Sequence, residues 1–380
     1  MLHINSKDKP DFNKLQNILS QSLSEGIRIT DKLPQMIADL EGELEPTLSQ
    51  LSGQDITKLT GKSIFDYFAS RLDNKQLKHI SASVDTNSLE YLIIQGFSIA
   101  DTLLKARNLS AKLTNYKKLN DLAMQDVHNA IHPKFELHKT NRVYYNSPDL
   151  IKIDKVLIVP RDVHNHLFSV DVKQQEPYIF INMLNIMDIK ELLKQEPDIY
   201  KAIYKKVFNA EIPDEATRTE IKQVWNSITY GRGRKALEKE SKLVDGVKVL
   251  DYFNSIPQYK AYMNQAEKQA KKYNYNTKTY FNTVLNAGNI KSWQLLNSLL
   301  NLPVQGTAAD ILTFLVAKAD SLDKDVFNLL YTRHDELILE VNGEIDAKEA
   351  KAYLQEQFTH QIDNWIPFSV NVDLLYTYVA

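Results

Sequence analysis

The chain has 380 residues, 43% hydrophobic and 25% charged, with a net charge of −2 and no cysteine. Such a length can hold two or three domains with real cores, and the composition is neither that of a disordered nor of a membrane-embedded protein. The absence of cysteine excludes disulfides, thiol catalysis and zinc–thiolate sites, and the charge speaks against a protein that coats nucleic acid, though not against one that grips a short duplex through a local basic lining.

The N-terminus, Met-Leu-His-Ile-Asn-Ser-Lys-Asp-Lys-Pro, has no apolar signal core. No later apolar run approaches a membrane span, so no membrane partner is expected and a cytoplasmic location fits. Residues 1–45 are polar and rich in Ser, Gln and Glu, and read as a short helical appendage that ends by residue 50. From Leu59 to Asn129 few breakers interrupt a helical pattern. Within it, 102–123 repeats apolar residues at three- and four-residue intervals and keeps Lys and Arg on other faces.

Between Phe135 and Asp171 the texture turns to short extended runs. Residues 156–159, closed by Pro160, and 167–170 predict strands that end in turns. Long helical patterns fill 174–291, broken near Pro197, Pro213 and Pro257. A helix is expected over 304–320, then strands at 328–331 and 337–341 joined by a tight turn carrying His334 and Asp335. A helix over 346–362 and a strand over 368–374 complete the chain. The order helical, sheet, helical, sheet predicts an α+β fold, a discontinuous sheet domain with two helical lobes.

Two aspartates stand where metal-assisted phosphoryl transfer would need them. That chemistry uses two divalent cations about 3.5–4 Å apart to activate the attacking oxygen and stabilise the leaving one. Magnesium prefers carboxylate oxygens. Asp171 ends one predicted strand and Asp335 sits at the hairpin tip. An aspartate after a strand is, by itself, usually a turn or cap residue; here each lies in a motif of its own. Arg218, Lys222, Asn226 and Tyr230 follow one another at intervals of four on a predicted helix, with Gly231 behind. That spacing drifts only about 40° per step, so a cation pair can face phosphates while later residues face a base and sugar. Isolated basic clusters, such as Lys201, Lys205 and Lys206, are mostly solvated helix faces.

In this order and spacing the motifs resemble those of DNA polymerase family A. The family's first motif, Asp-Tyr-Ser-Gln-Ile-Glu-Leu-Arg, stands here as Asp171-Val-Lys-Gln174-Gln-Glu176-Pro-Tyr178. The resemblance makes Glu176 the residue that crowds the sugar 2′ position, with Pro177 directly after it an unusual neighbour. Arg218 and Lys222 would bind the triphosphate, Lys222 would protonate the leaving pyrophosphate, and Tyr230 would close the pocket beside the nascent pair. Asn226 replaces the family's stacking aromatic. Tyr200, in Asp198-Ile-Tyr200, replaces a histidine that touches the triphosphate. Thr140-Asn-Arg142 begins a segment that gives Arg142 a minor-groove contact near the primer end, a contact that tests pairing without reading sequence. Asn301 and Gln305 match template and primer contacts, while Asn297 replaces an arginine. His334-Asp335-Glu336 matches the third motif, with Asp335 the second metal ligand, His334 supporting the primer terminus and Glu336 beside it at the DNA.

The resemblance covers the chain from about Leu59 onward. It implies a right-hand architecture: thumb 51–139, antiparallel-sheet palm 140–190 and 292–380, helical fingers 191–291. It implies a magnesium-dependent DNA polymerase, two ions per site and manganese as a substitute, acting on dNTPs and a primer-template. Too little chain precedes the thumb for a proofreading exonuclease. In size and departures the chain also resembles exonuclease-free family A polymerases of mobile elements, notably those of staphylococcal cassette chromosomes. These act with a small partner protein and start chains on single-stranded DNA, with rNTPs as further candidate substrates. Two alternatives stay open. A single-subunit RNA polymerase shares the aspartates and the Lys-to-Tyr-Gly helix but is longer and lacks a counterpart of Glu176. A degenerate palm would bind primed DNA or a replication partner without catalysis; the lost tyrosine, Asn226 and Asn297 favour it, the retained Asp171, Asp335, Arg218 and Lys222 oppose it.

Overall fold

The computed structural model describes residues 1–377 except 55, 57, 78–79, 147, 241–242 and 289–291, and the side chains at 75, 87, 239–240 and 292–293 are also outside the description. Ser147, within the segment that begins at Thr140, and position 291, the expected end of the fingers, lie outside the described residues. The chain divides into two compact units, one of residues 1–26, 132–152 and 160–380, the other of 27–131 and 153–159.

The larger unit is built on four antiparallel strands: β1 (His166–Val172), β2 (Phe327–Arg333), β3 (Glu336–Val341) and β4 (Val370–Tyr376), in the order β4-β1-β3-β2. Every residue of β3 is buried, its apolar run 337–339 flanked by the buried Glu336 and Glu340, as expected of a strand at the centre of a sheet. Asp171 pairs with Glu336 on one side and Asn371 on the other. The last residues of β1 are therefore level with the start of β3. Helices α1 (Gln175–Leu184), α2 (Ile199–Phe208), α3 (Glu215–Thr229) and α4 (Ser292–Asp320) supply the rest of the site. The α+β class expected from the sequence is the class adopted.

Helix α4, expected to begin at residue 304, begins at Ser292 and runs through Pro303. An interior proline removes the donor for the carbonyl four residues before it, here Leu299, and its ring crowds that turn. The Tyr262 hydroxyl donates to the Leu300 carbonyl at 2.7 Å, and the Thr307 hydroxyl donates to that of Pro303 at 2.7 Å. Contrary to the sequence expectation, the stretch from Gln294 to Asp320 is long and apolar enough to cross a membrane, but 83% of its most apolar window is buried inside the protein, as in a core helix.

Residues 1–50 do not form one appendage. Leu2–Ile4 pairs in parallel with His360–Ile362. Helix Phe12–Ser24 is capped by Asp11, and its Ser22 hydroxyl donates to the Leu330 carbonyl at 2.7 Å. The helix expected over 346–362 ends at Phe358, because residues 360–362 are taken up by the pairing with the N-terminal strand. Nothing local in either segment announces so distant a partner.

The smaller unit packs helices Leu33–Ser52, Gly61–Ala69, Thr86–Ile94 and Ser98–Ala123 around Leu51, Ile64, Phe68, Leu89, Leu92 and Leu103. The strand expected at 156–159 is absent. Lys155–Leu157 is a 3-10 turn and Ile158 makes a single bridge to Ile29. Thr30 N–H donates to the Leu157 carbonyl at 2.8 Å and Val159 N–H to that of Arg28 at 3.1 Å, so the run meets 28–30 over one bridge only, too short a pairing for a strand.

One buried acid on α4 yields a stability prediction. A Cβ on Gly306 would lie 2.3 Å from Leu285 Cδ1 and 2.8 Å from Thr279 Cγ2, so glycine lets the hairpin of Asn276–Lys278 and Val284–Asn286 seat on the helix. One turn on, Asp310 is fully buried; its Oδ1 accepts from the Thr283 hydroxyl at 3.0 Å and its Oδ2 has no hydrogen-bond partner among the described residues. Burial raises its carboxyl from 3.8 to about 7, against the lowering effect of hydrogen bonds from Thr279 and Thr283. Between those values the folded chain holds a proton that the unfolded chain has released, so stability falls as pH rises through that window and levels off above it. The full loss is of order 4 kcal/mol. Asp310→Asn, neutral throughout, is expected to unfold at higher urea than the parent at pH 8, with the gap closing toward pH 4. A gap that does not change with pH would mean that Asp310 is not the titrating group.

Candidate active site

The site is assembled at the end of the central sheet. β2 and β3 are joined by a two-residue turn of His334 and Asp335, in which His334 takes a left-handed φ of 57°. This turn projects Asp335 beside the end of β1, where Asp171 stands. The hairpin is held from below: Glu336, only 5% exposed, accepts from the Ser169 hydroxyl. A second hairpin, Lys134–Leu137 with Val143–Asn146, delivers Arg142. It is docked by the buried Tyr145, whose hydroxyl accepts from the Thr332 N–H at 3.1 Å and lies 3.0 Å from Thr332 Oγ1. Burial pushes that phenol up to about 12, with both Thr332 contacts opposing.

After β1 the chain turns sharply at Gln174, a non-glycine residue in the left-handed region (φ 49°, ψ 41°). Such backbone strain persists only where the surroundings hold it. Here the Gln174 side-chain oxygen accepts from the Ile199 N–H at 2.9 Å, tying the turn to the start of α2. Pro177 falls in the first turn of α1, where its missing N–H costs nothing.

Helix α3 buries Thr217, Ile221, Val224, Trp225 and Ile228 on one face. Its other face sends Arg218, Lys222 and Asn226 into a cleft of about 430 Å³, lined also by Arg142, Asp171, Gln174, Glu176, Tyr200, His334 and Asp335. That volume suits a small-molecule site. The accumulated drift of the four-residue spacing shows at Tyr230, which no longer faces this cleft but a small neighbouring cavity with Glu176, Phe180, Trp225 and Leu300. The helix closes there in a Schellman turn. Arg232 N–H bonds the Ser227 carbonyl at 2.8 Å, Gly231 N–H bonds that of Ile228 at 3.0 Å, and Gly231 has φ 80°. A Cβ on Gly231 would meet Leu300 Cδ1 at 2.7 Å. The Tyr-Gly pair is thus a helix stop pressed against α4.

Glu176 is the meeting point of the site. Its Oε1 accepts from Arg142 Nη2 and its Oε2 from the Tyr230 hydroxyl. Burial, then the charge and hydrogen bond of Glu176, raise the Tyr230 phenol, while Gln305 opposes through its own hydrogen bond to Tyr230. On the opposite wall, Arg218 Nε donates to Asp198 Oδ2 at 2.8 Å and its guanidinium lies 5.5 Å over the Tyr200 ring. Burial works against the Arg218 charge, but Asp198 and Glu215 more than offset it and raise the group.

Of the residues singled out from the sequence, ten line the cleft. Tyr230 and Gln305 join it through Glu176. Glu336 lies under the hairpin and is not among the cleft-lining residues, and Asn301 has a buried side-chain oxygen without a partner among the described residues. Asp198 was not singled out as a site residue, although Asp before an apolar helical run is a helix-start signal. Ala308 and Ala309 also line the cleft, and nothing in such small side chains marks them in advance.

Whether the residues suit a divalent cation can be judged from the donor set. Asp171 and Asp335 are two hard carboxylates brought to adjacent strand ends. Desolvation raises the Asp335 carboxyl, against lowering by its own backbone hydrogen bond, His334 and Arg142. A cation would offset that cost. Among the described residues no group of three or more His, Asp or Glu is gathered for a metal.

The family model of DNA polymerase family A matches residues 28–378. The chain is 24% identical to DNA polymerase I of Synechocystis sp., over 94% of this chain and 41% of that protein. It is 25% identical to DNA polymerase I of Geobacillus stearothermophilus, over 87% of this chain and 41% of that protein. The thermostable DNA polymerase I of Thermus filiformis is 23% identical, over 94% and 46%. The chain thus spans less than half the length of these curated relatives. Among solved structures, the POL domain of Pol1 from M. smegmatis, in complex with DNA primer-template and dNTP, superposes with a TM-score of 0.81 at 19% identity, covering 95% of this chain and 68% of that one. The likeness shows that the two share a fold.

Proposed function

The chain belongs to DNA polymerase family A, and on that premise we propose that it is a template-directed DNA polymerase whose reaction takes place in the cleft between Asp171 and Arg218. The observation that carries this reading is the opposition of two carboxylates on adjacent strand ends to two cations one helical turn apart on α3, across a single cleft.

Asp171 and Asp335 would hold two magnesium ions, which when bound supply charge stabilisation for the entering and leaving oxygens. Manganese would serve in their place. Arg218 and Lys222 would orient the triphosphate of a dNTP. The primer 3′-hydroxyl gives up its proton to water as its oxygen attacks the α-phosphorus, the bond from that phosphorus to the bridging oxygen breaks, and Lys222 gives a proton to the departing pyrophosphate. Arg142 would rest in the minor groove at the primer end, with His334 beside the terminus. Asn301 and Gln305 would follow the duplex along α4. Glu336 would position the hairpin from beneath.

A second activity is supported by the residues that hold the nucleotide. Asn226 offers an amide where a stacking ring would bind a base, and Tyr200 backs Arg218. Both suit an unprimed start with dNTPs or rNTPs on single-stranded DNA, aided by a small accessory protein that adds base-stacking grip.

One assay separates these readings. With a primed template, dNTPs and magnesium, stepwise extension is expected, lost on chelation. With unprimed single strands, short products are expected only when the accessory protein, sought among neighbouring gene products, is added. Binding of primed DNA without extension would transfer the chain to the non-catalytic scaffold class. Extension without short products in any condition would leave a polymerase that does not prime.

A further inference from the structure

Arg218, the residue assigned to the triphosphate, already has an anion. Asp198 lies just before α2 and is 17% exposed at its side chain; Arg218 is 27% exposed. The two oxygens of Asp198 have separate tasks. Oδ1 caps α2, accepting from the Tyr200 N–H at 3.0 Å and the Lys201 N–H at 3.4 Å, while Oδ2 accepts from Arg218 Nε at 2.8 Å. Asp198 is itself fixed, its N–H donating to Glu196 Oε1 at 3.0 Å. Gln174 holds the neighbouring Ile199 N–H, which fixes the backbone from which the carboxylate reaches Arg218. Glu215 also reaches Arg218, at 3.2 Å, but is 76% exposed and so is screened by solvent.

We propose that Asp198 is a built-in competitor for the nucleotide: its Oδ2 holds Arg218, and an incoming polyphosphate must displace it. A carboxylate carries one negative charge and a triphosphate several. The pair therefore yields to a triphosphate more readily than to inorganic phosphate, and Asp198 lowers the apparent affinity of each anion that must take Arg218 from it by a common factor. The identity of the displacing anion rests on the polymerase reading; the competition itself rests on the Asp198–Arg218 geometry alone.

The test uses Asp198→Asn. Asparagine caps helices as well as aspartate, so its Oδ1 keeps both backbone contacts while its amide nitrogen can no longer accept from Arg218. Binding of inorganic tripolyphosphate to the full chain, followed by calorimetry, is expected to tighten about 5-fold or more, because the occupying anion is gone. Binding of inorganic phosphate, in so far as it draws on Arg218, should tighten by the same factor, leaving the preference for the longer chain unchanged. On primed DNA, the KM for dNTP should fall with kcat little changed.

In an Arg218→Ala background the same substitution should do nothing. Unchanged or weaker tripolyphosphate binding in Asp198→Asn would overturn the proposal, as would equal tightening with Arg218 removed, which would indicate only a general loss of negative charge. Asp198→Ser, another capping residue, serves if the asparagine variant does not fold. Tighter tripolyphosphate binding without any primer extension by the parent chain would sustain the competition and sink the polymerase reading.

Discussion

Asp171→Ala and Asp335→Ala are each expected to lower magnesium-dependent primer extension by at least about 10³-fold, since loss of the metal clamp removes several kcal/mol of transition-state stabilisation. The two positions differ in their surroundings but not in the expected result. Asp171 is a strand residue flanked by Glu336 and Asn371, and Asp335 is one of two residues in a turn. Neither supports the core, so far-ultraviolet circular dichroism, urea midpoint and duplex binding should stay close to those of the parent. Asp335→Asn retains the shape of the turn and loses the charge; it should be nearly as inactive as the alanine variant. Near-normal extension by any of the three would refute the carboxylate mechanism.

Glu176→Ala should lower the preference for dNTP over matched rNTP by about 10–200-fold, the range open to a change in steric fit at a pocket wall. The position of Glu176 makes the prediction sharper than bulk alone would allow. Two donors hold its carboxylate, Arg142 on one side and Tyr230 on the other, so its reach toward a sugar is set and not left to rotamer choice. Glu176→Gln keeps the bulk and one acceptor oxygen. It should keep most of the discrimination while weakening the hold on Arg142, which would appear as poorer use of primer and not as poorer sugar choice. If the dNTP to rNTP ratio is indifferent to both substitutions, Glu176 is not the gate.

How much of this site could be read in the sequence varied with the range of the interactions involved. The hairpin of His334 and Asp335 was legible because two apolar runs around a short polar turn pair readily with each other. Helix α3 was legible because its buried and cleft faces follow a 3.6-residue period. Gln174 was legible as a motif residue, but not as a left-handed backbone tied to Ile199 N–H. Asp198 was visible as a helix start, and its hold on Arg218 was not, since the two are twenty residues apart and meet only when α2 packs on α3. The start of α4 was misplaced because Pro303 argues locally for a boundary, while the hydroxyl that serves the Leu300 carbonyl comes from Tyr262.

By itself the amino-acid sequence determined the fold class, the elements with strong local period, and the residue types that could bind metal and triphosphate, because periodicity, turn chemistry and charge act over a few neighbours. Only the tertiary structure decided which of those residues share a cleft, that Glu336 lies beneath the hairpin, that Tyr230 turns toward Glu176, and that residues 2–4 pair with 360–362. These outcomes depend on side chains far apart in sequence competing for the same hydrogen-bond partners and the same buried space. Such competition is settled only when the helices and the sheet are packed together.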